Sequence, residues 1–176
     1  VPPADKRWLV LAQCSVRRPF SGSPSHASIR RAVTLATGLD PGTESDRCPV
    51  HVVVLASRMG PVPYELQDVY PASVRSNGVK QFSDATFSRY SPILTERMAA
   101  YVRRHGRSYA RIAAFGEGRY GHILRAAAES SGTRFPVLPV PHGPRLTRVG
   151  RSRPRKYWER YWIQLYLTLA GWLEPE

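Results

Sequence analysis

The sequence predicts an α/β fold: a three-layer sandwich whose mostly parallel, four-stranded sheet carries helices on both faces, with an amphipathic helix at the C-terminus. Three observations predict it. Four apolar runs of strand length alternate with segments of helical period. The first two helical segments open on a serine and close on a glycine. Apolar residues make up 42% of a chain of 176, enough for one buried core.

The elements follow in order. Residues 7–16 form a near-continuous apolar run, Trp8-Leu9-Val10-Leu11, which reads as a buried strand. Residues 25–38 read as a helix with Ser25 as N-cap, Ile29, Val33 and Ala36 on the apolar face, and Gly38 as its stop. Residues 39–49 are a loop, and 50–59 a second strand. Residues 60–73 are punctuated by proline, and 74–90 show no clear period. A helix is expected over 91–106, with Ser91 as N-cap and Pro92 at its first position. Residues 109–116 form the third strand, 119–132 a helix, and 134–140 a fourth strand whose prolines favour an edge.

Composition changes after that. The division expected is a core domain over 1–140, a basic linker over 141–156, and an aromatic helix over 157–176 that packs on the core. The linker holds Arg145, Arg148, Arg151, Arg153, Arg155 and Lys156. The helix carries Trp158, Tyr161, Trp162, Leu165, Leu169 and Trp172 at helical spacing. A partner surface or a stacking surface for nucleic acid is the alternative use of that face.

The net charge of +13 points to a polyanionic partner, with nucleic acid the first candidate. Of 26 basic residues, 23 are Arg, which a GC-rich genome also produces. Arg148, Arg151, Arg153, Arg155 and Lys156 are the expected nucleic-acid contacts. Cys14 and Cys48 form no CxxC pair, and no His/Cys/carboxylate set has metal spacing, so neither a metal nor a cofactor is expected. No apolar run reaches membrane-spanning length and no signal peptide is visible, so a cytoplasmic protein without membrane contact is expected. A chain that begins Val1-Pro2-Pro3 rather than with Met is expected to be cut from a longer protein.

Ligands of open parallel sheets sit beyond the carboxyl ends of the strands. Four loops meet there in this reading: 14–25, 57–65, 116–119 and 140–145. The first, QCSVRRPFSGSPSH, holds Cys14 beside Arg17 and Arg18 and ahead of a helix N-terminus, an environment that favours thiolate. A cysteine closing a strand can also be a small core residue. GEGRYG (116–121) follows the third strand rather than the first. It reads as a tight turn at the pocket mouth, with Glu117 and Arg119 in reach of substrate, rather than as a dinucleotide fingerprint. His142 lies at the same rim, while His51 and His105 have structural readings.

The spacing Cys14, Arg18-Pro19-Phe20, Ser23, His26 resembles the signature of archaeosine synthase and its relatives. That family shows Pro-Cys, then Lys-Pro-Tyr, Ser and His at the same intervals. Gln13, Arg18 and Phe20 depart from it, the last two conservatively. Residues 55–72 resemble the family's second segment, with Gly60, Pro63, Glu65, Leu66, Tyr70 and Pro71 fitting it. The likeness covers about residues 8 to 140. It implies a core of uracil-DNA-glycosylase type that holds an extruded base. It also implies the substrate: 7-cyano-7-deazaguanine already in tRNA, whose nitrile receives an amine from a donor such as lysine.

Fitted to that chemistry, Cys14 is the candidate nucleophile, adding to the nitrile to give a thioimidate that the amine displaces. His26 or Glu65 would handle the proton. Arg18, Pro19, Phe20, Ser23, Gly60 and Pro63 are the expected substrate contacts: Arg18 on a phosphate or carboxylate, Phe20 stacked on the base, Ser23 on the nitrile nitrogen or a phosphate. The motif can equally serve as a binding loop with no covalent step. Cys14, Ser23, His26 and Glu65 are expected in one pocket. The family's further domains do not fit in 176 residues, so DNA or a free base competes with tRNA, and a partner subunit could supply RNA contacts. The alternative is a non-catalytic nucleic-acid-binding module. A base-excising glycosylase would need an acidic or Asn residue in the first loop, which has none.

Overall fold

A computed structural model describes residues 2–147 and 157–174. Five strands and four α-helices run in order among these residues: β1 (Trp8–Gln13), α1 (Pro24–Thr37), β2 (Val50–Ala56), β3 (Gly60–Pro63), α2 (Asp84–His105), β4 (Arg111–Phe115), α3 (Gly118–Ser131), β5 (Val137–Leu138) and α4 (Tyr157–Gly171). The sheet has five strands in the order β3-β2-β1-β4-β5. β1 pairs in parallel with β2 and with β4, β4 with β5, and β3 runs antiparallel to β2.

The expected four strands are therefore five. The chain turns back at Arg58-Met59, and Gly60, at φ 89°, opens a hairpin strand that pairs with Ala56. Reading 50–59 as one strand and 60–73 as a loop missed that hairpin. The prolines at 61 and 63 fit because β3 is an edge strand, with solvent available to one row of backbone groups.

β1 and β2 are buried along their full length, as strands covered on both faces must be. The connection through α1 leads from β1 to β2 on one side of it, and those through α2 and α3 lead to β4 and β5 on its other side, so by the right-handed crossover rule they cover opposite faces. α1 packs with α4 on one face, and α2 packs with α3 on the other. In α4, Tyr161, Trp162, Leu165 and Leu169 are buried, and Arg31 of α1 lies over the Trp162 ring at 5.1 Å. Buried Gln164 accepts from the Val140 N–H and donates to the Val140 and Pro144 carbonyls, tying α4 to the segment after β5. Tyr161, Trp162, Leu165 and Leu169 of that face are thus turned into the core, while Trp172 is only partly buried. No described helix is long and apolar enough to cross a membrane.

Two helix starts differ from expectation. Ser23, not Ser25, caps α1, its hydroxyl accepting from the His26 N–H, with Pro24 at the first position. α2 starts at Asp84, capped by Ser83, so Pro92 lies inside it. A proline forfeits one intrahelical bond. Leu94, Met98, Ala99 and Val102 keep the helix in place by burying its inner face.

The glycines of GEGRYG serve packing. A Cβ on Gly121 would lie 2.7 Å from the Gly116 carbonyl oxygen, and one on Gly116 would lie 2.8 Å from Leu124 Cδ1. The strand-to-helix turn is closed to side chains there. Gly121→Ala should therefore cost about 1–3 kcal/mol through forced separation of β4 and α3. A denaturant midpoint equal to wild type would contradict this.

Candidate functional site

β1 is flanked by β2, reached through α1, and by β4, reached through α2 on the other face, so the crevice at its carboxyl end is the topological switch point. A cleft of about 400 Å³ lies there, lined by Gln13 to Arg17, Pro24 and Ser25 of α1, Gly78, Lys80 and Gln81, and Tyr120 of α3. This size falls within the range of small-molecule sites.

Cys14 is the first residue beyond β1 and is 7% exposed, at the cleft wall. Its Sγ lies 3.3 Å from the Ser15 carbonyl oxygen. Gln13 is buried, and its Oε1 accepts from the Glu117 N–H at 3.1 Å. A carbonyl oxygen accepts and an amide nitrogen donates, so this bond sets the orientation of the amide. Nε2 keeps its donor hydrogens, and Gln13 lines the cleft.

Tyr120 stands beside Cys14. Its hydroxyl is 2.8 Å from Ser57 Oγ, and the Val79 N–H lies 3.1 Å from each of these oxygens. Burial first, and then the charge of a Cys14 thiolate beside it, push its phenol well above the ordinary range. Tyr120 thus stays protonated next to the thiol. Lys80 of the cleft wall pairs with Glu117, which does not line the cleft, and Arg119 pairs with Asp84.

The four residues expected in one pocket separate. Glu65 lies at the other end of the sheet. β3 carries the chain back toward the amino end of β2, where Glu65 Oε2 is 3.2 Å from His51 Nε2, without hydrogen-bond alignment, and Oε1 is 3.8 Å from Lys6 Nζ. His51 is in register with Leu9, so roughly 16 Å of strand separates that cluster from Cys14. Burial raises the Glu65 carboxyl, but His51, its own backbone N–H and Lys6 together hold it below its ordinary value. It is no partner of Cys14.

His26 is near Cys14 in the chain but fully buried. Its Nε2 is 2.8 Å from the Gln13 carbonyl and its Nδ1 2.6 Å from the Tyr64 hydroxyl. A carbonyl only accepts, so Nε2 carries the hydrogen and Nδ1 accepts from Tyr64. Burial, and less so the Arg18 charge, lower its pKa to about 4 against the pull of the Gln13 bond. His26 is a neutral strut beneath the loop and has no free nitrogen for proton transfer.

The other expected contacts are corrected in the same way. Ser23 is the buried helix cap. Phe20 is fully buried and cannot stack on a base. Arg18 covers it at 4.0 Å and donates to the carbonyls of Ala72, Ser15 and Arg17, with Nη2 buried and unpartnered among the described residues. It ties loop 14–18 to residue 72 and is not aimed at a ligand in the cleft. Pro19 is exposed and outside the cleft. Gly60 and Pro63 sit in β3, paired with Ala56 and Val53. Arg148, Arg151, Arg153, Arg155 and Lys156 lie outside the described residues. Among the described residues, no group of three or more His, Cys, Asp or Glu is disposed to hold a metal.

Sequence reasoning missed Gln13, Ser57, Tyr120 and the 78–81 wall. Asn77-Gly78 was a turn signal within the stretch without period. Gln13 showed only as a departure from the family motif.

The profile of the family described as a domain of unknown function, DUF5591, matches residues 1–138. The archaeosine synthase subunit alpha of Methanosarcina acetivorans is 31% identical over 130 residues, which is 74% of this chain and 18% of that protein. The archaeosine synthase subunit alpha of Thermococcus kodakarensis is 28% identical over 142 residues, 81% of this chain and 23% of that protein. The chain thus spans about a fifth of the length of the curated relatives it matches. A crystal structure of AF0587, a protein of unknown function, is similar with a TM-score of 0.47 and 14% identity, over 77% of this chain and 39% of that one.

Proposed function

The chain belongs to the DUF5591 family, and on that premise we propose that it is an archaeosine-synthase-like enzyme that adds an amine to the nitrile of a 7-cyano-7-deazaguanine base in tRNA or DNA. The observation that carries this reading is the cleft itself: a thiol, an oriented amide donor and a protonated phenol meet at the switch point of an open α/β sheet.

The chemistry needs only those groups. Cys14 Sγ bonds to the nitrile carbon and its proton ends on the nitrile nitrogen, giving a thioimidate. An amine such as lysine then bonds to that carbon, the C–S bond breaks, and the thiol regains a proton from the amine. The product is an amidine. Tyr120, held by Ser57, is the proton carrier in place of His26 and Glu65. Gln13 Nε2 donates to the developing nitrogen anion or to an acceptor on the base.

A second reading, a non-catalytic base-binding module, is favoured by one observation: no carboxylate or imidazole lines the cleft among the described residues. Turnover separates the two. The full chain is incubated with tRNA or a DNA oligonucleotide carrying the nitrile base, plus lysine, and the nucleosides are resolved by mass. Amidine product supports the enzyme; binding without product supports the module. Tyr120→Phe should slow the reaction by about a hundredfold. The fold should survive, because Ser57 still accepts from Val79. Wild-type rates in Tyr120→Phe would remove the phenol from the mechanism.

A further inference from the structure

A second cleft, of about 470 Å³, lies beside the first and is lined by Arg58, Met59, Tyr70, Val74, Arg75 and Asn77 among others. We propose that it is a subsite for single-stranded nucleic acid, holding a nucleotide next to the base in the Cys14 cleft; this rests on the function proposed above.

Three features of the cleft select that occupant. Its charge has one sign: Arg58 and Arg75 are exposed, and no acidic residue lines it. Neither guanidinium makes a hydrogen bond or ion pair among the described residues, so both are available to phosphate. Its apolar part is an aromatic face left in solvent. Tyr70 is 80% exposed, in a stretch where Leu66, Val69 and Val74 are each more than half exposed. An open ring flanked by cations is how sequence-tolerant stacking of bases is built.

Continuity is the third feature. Ser76 and Asn77 line this cleft, and Gly78, Lys80 and Gln81 line the first, so one loop is the wall between them. Arg18 adds a second tie, since its Nε donates to the Ala72 carbonyl at 2.8 Å while Ser15 and Arg17 line the Cys14 cleft. A strand with one base in the first cleft passes its neighbour over this wall. The Tyr70 segment therefore gives the polynucleotide a contact that a free base lacks.

The test is fluorescence anisotropy with a short labelled single-stranded RNA and the matching DNA. Tyr70→Ala should weaken binding about tenfold or more, and Tyr70→Phe should stay near wild type. Replacing Arg58 and Arg75 together by Ala should flatten the logarithmic salt slope by about 1.4. A loss in the RNA arm, the DNA arm or both supports the subsite and identifies the sugar it accepts. Equal affinities of wild type and Tyr70→Ala in both arms overturn it. A dimer that Tyr70→Ala abolishes, with oligonucleotide affinity unchanged, overturns it in favour of a second copy of the chain. The two proposals fail separately. Amidine formation without a Tyr70 effect removes the subsite alone. A Tyr70 effect without amidine formation supports the subsite and removes the reaction alone.

Discussion

Cys14→Ala should reduce amidine formation by roughly a thousandfold or more while leaving oligonucleotide affinity near wild type. The nitrile is a weak electrophile, and the thiol is the strongest nucleophile lining the cleft. Alanine in its place removes one sulfur at the cleft wall and leaves Gln13, Tyr120 and the Arg58–Arg75 cleft untouched. Cys48 is the internal control. It is fully buried near the amino end of β2, where burial pushes its thiol up and its Sγ faces the Leu39 carbonyl. Cys48→Ala should keep turnover at the wild-type rate. Single-turnover mass analysis of nucleosides reads both. Full turnover by Cys14→Ala would leave direct attack of the amine on the nitrile.

His26→Ala should unfold the protein more easily by about 3 kcal/mol or more at neutral pH, and that gap should narrow in acid. The variant leaves a ring-sized void and two buried partners, the Gln13 carbonyl and the Tyr64 hydroxyl, without a bond. The acid behaviour follows from linkage. The folded pKa of His26, about 4, lies below the ordinary 6.5. Between those values the unfolded chain binds the proton and the folded one does not. Stability is therefore complete above pH 6.5 and falls as pH drops toward 4, by about 3 kcal/mol from this group. The variant lacks that loss. Urea melts of both proteins across the window test it, and a wild-type-to-variant gap independent of pH would contradict a buried neutral His26.

The layers were legible because they depend on periodicity, whereas of the four loops expected to meet at the site only 14–25 lines the cleft. β1 and β2 show near-continuous apolar runs, and the loops at their ends follow. Cys14 was legible for the same reason, as the residue where the first run ends. Glu65 was not, because its position depends on a reversal of chain direction. Four residues with two prolines carry little strand signal, yet they pair with β2 and move Glu65 to the far end of the sheet. His26 could have been placed better. It precedes Ile29 by three residues and Val33 by seven, on the same buried face of α1. Ser83 was hidden by Pro92, which reads as a helix start when taken alone and is tolerated inside a helix that is packed along its inner face. Tyr120 and Gly78 meet across more than forty residues of sequence, and no local pattern reports such a contact.

In the proposed reaction the Cys14 thiol takes up the nitrile carbon. Intact-protein mass measurement after incubation with an oligonucleotide bearing 7-cyano-7-deazaguanine, in the absence of amine, addresses it most directly. A mass gain of one oligonucleotide is expected, mapped by peptide analysis to Cys14 and lost when lysine is added. No adduct on wild type under conditions that yield product with lysine, or an adduct mapped to Cys48, would contradict it.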